Sequence, residues 1–312
     1  MTKPSMFIKR MNDYKKCMRI LNCANHVYLD EIDNFEFKKI SKYNKSKNLY
    51  NKITHDFKLV NELIDKQDLL NAATILRTLY ENIIYIIVKS YDKKLNITLN
   101  TLPRDLRPTL EDNCNEIFTD YFDKEDFNEI YKYLCKIVHP CSMKELLSYM
   151  SKTIKYKNYL LSNLKYTMLV IEYMYLNFLN KKVGNEESKF DLNFIDLSTY
   201  VNLMNVSYFI NDVKDSKSFI KRFFYYDTNN KYITDNQERL KEVYETLINK
   251  KELVEEDIKE LTKVLDTQIK ESKYNEIISK ILSGKQSWEQ IGVLINFPGT
   301  NWERCHRTRK VK

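Results

Sequence analysis

Apolar residues in the chain recur at helical spacing. From Asp56 onward, Leu59, Leu63, Leu69 and Leu70 lead into "NAATILRTLYENIIYIIVKSY", a stretch with so few polar positions that the pattern predicts a helix at the centre of a bundle. Upstream, residues 1 to 60 mix charged and aromatic positions without a long clean period, and "KKISKYNKSKNLYNK" reads as a loop or a weakly packed helix. Downstream, "NITLNTLPRDLRPTLEDN" holds two of the five prolines and reads as a long connection. Helices resume near Asp123. In "EDFNEIYKYLCKIVHP" the residues Phe127, Ile130, Tyr131, Leu134 and Val138 fall on one face, and Pro140 stops the helix by disfavouring helical geometry at His139. A further apolar helix, "YLLSNLKYTMLVIEYMYLNFLNKK", ends before "VGNEESK", where a glycine and a charge cluster suggest a domain boundary.

Beyond that boundary the pattern narrows. Residues 190 to 230 are aromatic, with "SFIKRFFYYDTNNKYITDN" suggesting a helix and then an Asn-rich turn. From Asp235 to Lys273 the chain is strongly charged. Asp235 and Glu238 form a capping box there, and Leu240, Val243, Leu247, then Ile258, Leu261, Leu265, mark thin stripes of a helical hairpin. In the last forty or so residues Ile277, Ile278, Ile281 and Leu282 predict a helix ended by Gly284 in the left-handed conformation. Ser287 and Gln290 then cap "WEQIGVLI", whose apolar face is Trp288, Ile291, Leu294 and Ile295. After the turn "NFPGT", Thr300 or Asn301 caps a third helix, with Trp302 and Cys305 on one side and Arg304, Arg307 and Arg309 around the rest. No internal repeat is visible.

Composition sharpens the fold class. The 312 residues include four glycines and five prolines, against the roughly 20 and 15 of an average chain of this length, so the turn chemistry of sheets is missing and the expected fold is all-α. The expected organisation is a helical-bundle body over 1–183, a charged helical connector over 184–273 and a three-helix, helix-turn-helix module over 274–312. Asn, Lys, Ile and Tyr dominate in the manner of an AT-rich coding genome, which raises the lysine count by itself. The net charge of +8 is therefore less informative than its placement: residues 285–312 carry six Lys and Arg against two Glu.

Six cysteines form no CxxC pair, and with four scattered histidines they give no zinc-ligand spacing; reduced thiols, no metal and no cofactor are expected. The first residues lack the apolar core of a signal peptide, and the longest apolar run, Tyr166 to Leu179, is interrupted by Glu172 and too short for a bilayer. The expectation is a cytoplasmic protein without membrane contact.

Two constellations could carry chemistry. Arg77 and Glu81, four apart, share a helix face with Ala73, Ile84 and Val88, so an ion pair with a further polar partner from another helix is expected. His139 is the candidate partner, lying one and two turns beyond Cys135 and Tyr131 at a helix C-terminus that favours its protonated form. The three residues are either a general acid–base and phosphate-stabilising set, with Lys136 as an alternative cation, or a polar cluster that fixes helix packing, and the packing role is preferred. "AATILRTLYENIIYI", followed some fifty residues later by "YLCKIVHP", resembles a bacterial helical family with an R-x-x-x-E helix and a later V-H-P, itself similar to the HEPN superfamily; the likeness covers about residues 55 to 180. It implies a helical body and, for many such proteins, metal-independent ribonuclease activity from an arginine and a histidine.

The second constellation is terminal. "ILSGKQSWEQIGVLINFPGTNWERCHRTRK" resembles the latter part of a Myb or SANT repeat, and this likeness implies a recognition helix. Lys285, Asn301, Arg304, His306, Arg307, Arg309, Lys310 and Lys312 are then the candidate nucleic-acid contacts, reading phosphates or guanine edges. The expected function is a regulator or accessory protein that binds duplex DNA, with RNA as the other candidate ligand, in a setting (bacterial mobile element or phage defence) that the resemblance alone implies. An endoribonuclease and an oligomeric helical scaffold are the alternatives, and a homodimer is compatible with either.

Overall fold

A computed structural model describes residues 4–40, 43–91, 154–183 and 253–271, together with 130, 131, 133–135, 137, 138, 242, 243, 245–247 and 249–251. Helices account for nearly all of these residues, and no strand occurs among them. The fold is all-α. The helices are α1 (Pro4–Asp33), α2 (Tyr43–Asp65), α3 (Leu69–Tyr91), α4 (Ile154–Lys182) and α5 (Glu255–Glu271), with a 3₁₀ turn at Phe37–Lys39. Residues 130–138 and 242–249 contribute further helical positions where they are described. Among the described residues no helix is long and apolar enough to cross a membrane.

The chain forms two compact units, one of Ala24–Ser188 and one of Met1–Cys23 with Lys189–Lys312; the division falls inside α1. In the first unit, α2 packs on α3, and both pack on α4. Helix α2 buries Ile53, Phe57, Val60 and Ile64, spaced four, three and four apart, which is one helical stripe. Leu59 and Leu63, the positions that mark this helix in the sequence, are half-buried at its flank. Much of "KKISKYNKSKNLYNK" is the start of α2, anchored by Tyr50, whose ring meets Phe37 at 5.4 Å between centroids.

A three-residue link joins α2 to α3. Gln67 takes a left-handed conformation, φ 61°, while its N–H donates to the Ile64 carbonyl at 2.9 Å and that of Asp68 to the Leu63 carbonyl at 2.8 Å. These two bonds are a Schellman cap, which satisfies carbonyls that the helix end would otherwise leave unpaired. Asp68 then opens α3, its carbonyl accepting from the Ala72 N–H and its carboxylate from Asn71.

The sequence pattern places the α3 stretch at the centre of the bundle. Helix α3 does bury Leu76, Leu79, Ile83 and Ile87, yet Thr74, Thr78 and Lys89 remain exposed. The more enclosed helix is α4, in which every residue from Ser162 to Leu179 is buried. Two of its polar residues tolerate this because they bond locally: Thr167 Oγ1 donates to the Asn163 carbonyl at 2.7 Å and Asn177 Nδ2 to the Tyr173 carbonyl at 3.0 Å. Hydropathy undercounts such residues, since they hide their polarity against their own helix.

In the second unit, Leu247 is buried, and α5 buries Ile258, Leu261, Val264 and Leu265 along one face, the stripe its spacing predicts. Asp257 holds the start of α5. Its carboxylate accepts the Val254 N–H at 3.0 Å and pairs with Lys250, so its side chain is only 7% exposed.

Candidate functional site

The one candidate chemical cluster that falls within the described residues is built on α3. Arg77 and Glu81 stand one turn apart, and Arg77 Nη2 lies 3.2 Å from Glu81 Oε1. The same nitrogen donates to the Tyr131 hydroxyl at 3.2 Å, and the guanidinium carbon sits 5.5 Å from the centre of the Tyr131 ring. Both side chains of the ion pair are a little over one-fifth exposed, so the pair lies at the edge of the core, beside the buried Ala73, Ile84 and Val88 of its face. Residues 130–138 approach it with Ile130, Leu134 and Ile137 buried, while Tyr131, Cys135 and Val138 are half-buried. The apolar face of that segment is thus 130, 134 and 137. Tyr131 and Val138, assigned to that face by spacing, flank it, and this rotation is what turns the Tyr131 ring toward Arg77.

Electrostatics fix the protonation of the cluster. Partial burial disfavours the Arg77 charge, but the Tyr131 hydrogen bond and the nearby Cys135 and Glu81 outweigh it, and Arg77 becomes a stronger base than usual. The Tyr131 hydroxyl is pushed up by burial and then by its hydrogen bond with Cys135, against the pull of Arg77. The result is a permanent cation matched by a carboxylate, stacked on a neutral phenol. Such an assembly clamps α3 to a segment more than fifty residues away. Both of these partners, Glu81 and the Tyr131 hydroxyl, engage one nitrogen of the guanidinium, Nη2.

Tyr131 is a polar partner that the segment 130–138 brings to Arg77. No local signal marks it, because a tyrosine on a half-apolar face looks the same whether it packs or accepts a hydrogen bond. His139 lies outside the described residues. So do Lys285, Asn301, Arg304, His306, Arg307, Arg309, Lys310 and Lys312, with the caps and stripes expected over 274–312. Cys135 is a free thiol. No protein-family model, no curated protein and no solved structure matches the chain.

Proposed function

We propose that the protein binds duplex DNA through its basic terminal segment, residues 285–312, and that the helical unit around α4 carries that segment without itself being a catalyst. The carrying observation is the placement of charge: six cations against two acids in the last 28 positions. Several cations among the described residues face acids of their own. Lys52 pairs with Asp56, Lys58 with Asp33 at 2.6 Å, Lys165 with Asp65 at 3.1 Å, Arg77 with Glu81 and Lys250 with Asp257. Polyanions bind where cations are clustered and uncompensated, and releasing their counterions drives association. The Myb-like spacing of Trp288, Ile291 and Trp302 supports a three-helix frame for Arg304 and Arg307, and the family likenesses supply the regulator or accessory role in a mobile element or defence system.

A mobility-shift experiment on full chain and on chain ending at Gly284, across duplex DNA, single strands and RNA, tests this. Duplex retardation by the full chain and none by the shortened one is the expected result; equal retardation removes the terminal segment from the account. The ribonuclease reading is disfavoured because Arg77 is already engaged by Glu81 and Tyr131. Structured RNA incubated in EDTA with wild type and His139→Ala would revive it if only the wild type cleaves.

A further inference from the structure

Helix α4 buries a single carboxylate, Glu172, and none of it reaches solvent. The carboxyl meets α1, where Asn25 is 1% exposed. Asn25 Nδ2 donates to Glu172 Oε2 at 3.0 Å and to the Lys165 carbonyl at 3.3 Å, so both hydrogens of the amide are used. Two oxygens remain, Asn25 Oδ1 and Glu172 Oε1, each buried and without a hydrogen-bond partner. With Glu172 ionised, both are acceptors facing no donor, an arrangement that leaves two buried oxygens without the hydrogen bonds water would give them. A single proton satisfies both. A carboxylic acid and a primary amide each present one donor beside one acceptor, and here one half of that complementary pair is already formed.

We propose that Glu172 and Asn25 form a cyclic acid–amide latch between α4 and α1, in which Glu172 Oε1–H donates to Asn25 Oδ1, and that loss of this proton to solvent opens it. Complete burial holds the Glu172 carboxyl well above its ordinary range, and the Asn25 hydrogen bond and the Lys165 charge, which favour ionisation, are outweighed. Among the described residues, Lys165 is the charge that favours ionisation of Glu172. Lys165 stands two turns away on α4 with its ammonium tied to Asp65 of α2. Helix α1 brings Tyr28, whose ring lies 6.5 Å from that of Tyr173, and α2 brings Phe57 against Tyr175 at 5.9 Å. On α3, Arg77 and Glu81 pair with each other and Lys89 bonds the Tyr85 hydroxyl.

The sign follows from proton counting. Between the ordinary carboxyl value, 4.5, and the higher folded one, the folded chain holds one proton that the unfolded chain has lost. The folded-to-unfolded ratio therefore falls about tenfold for each unit of pH rise across that window. The test uses full-length wild type, Glu172→Gln and Asn25→Ala, with infrared detection of the protonated carboxyl and denaturant midpoints from about pH 6 to about pH 9. The latch requires a protonated-carboxyl band at neutral pH that Glu172→Gln abolishes and that Asn25→Ala moves to higher frequency. It also requires a midpoint that drops with pH in the wild type and stays level in Glu172→Gln, whose two amides close the same ring without a titrating proton. A wild type lacking that band, with Glu172 ionised and served by an internal water, overturns the proposal, as does Glu172→Gln keeping the wild-type slope. Should Glu172→Gln not fold, the band in wild type against Asn25→Ala decides, and an unmoved band rejects the latch.

Discussion

Arg77 holds two unlike partners, and removing each has a different consequence. Replacing Arg77 by Met leaves the Glu81 carboxylate at the core edge without its cation, whereas Glu81→Gln leaves Arg77 its phenol and its ring. Arg77→Met should therefore cost more, about 2 kcal/mol against about 1 kcal/mol, with a coupling of about 0.5–1 kcal/mol in the double-mutant cycle read by urea denaturation. Tyr131→Phe keeps the stacking face and loses the hydroxyl acceptor, so it should cost about 0.5–1 kcal/mol. Were Arg77 free to serve a phosphate, the Glu81 substitution would be neutral in stability. The i to i+4 spacing makes the Arg77–Glu81 pair legible in the sequence. The Tyr131 contact is not, since residues 54 positions apart meet only through the packing of whole helices.

At the scale of elements, two helix ends carry measurable free energy. Gln67 occupies a left-handed position that costs a side-chain-bearing residue about 1–2 kcal/mol and costs glycine almost nothing. Gln67→Gly should accordingly raise stability by about 1 kcal/mol, less a small entropic loss, visible as a higher thermal midpoint. Asp257 works in the opposite sense at the start of α5. The hydrogen bond from Lys250 and the Val254 N–H together hold its carboxyl below the ordinary range, so its contribution is present above 3.8 and fades as pH falls through the lower folded value. Asp257→Ala should cost about 1 kcal/mol at neutral pH, and that gap should close in acid titrations of the two proteins. The capping box that the sequence suggests in this region, Asp235 with Glu238, lies outside the described residues, and the sequence marks Asp257 by nothing more than an acidic first turn. Gln67 is not legible at all, because nothing in "DKQDLL" signals which residue turns left-handed when glycine is missing.

For the whole molecule, the proposed duplex binding carries its own signature, salt dependence. Each of Arg304→Ala and Arg307→Ala should weaken duplex binding and lower the slope of log affinity against log salt by about 1, whatever the DNA sequence, if each neutralises one phosphate. A base-reading arginine would instead relax preference at one position and leave the slope nearly unchanged. Scarcity of glycine and proline, with apolar residues three and four apart, was enough to determine an all-helical fold, the end of α4 at Lys182 and the stripe of α5, because helical periodicity is a local property of the chain. The choice of α4 as the most enclosed helix, the rotation that brings Tyr131 to Arg77, and the pairing of Asn25 with Glu172 were decided only by tertiary structure. Each depends on which faces meet across dozens of residues, and a lone glutamate in an apolar run acquires its meaning from the amide that another helix sets against it.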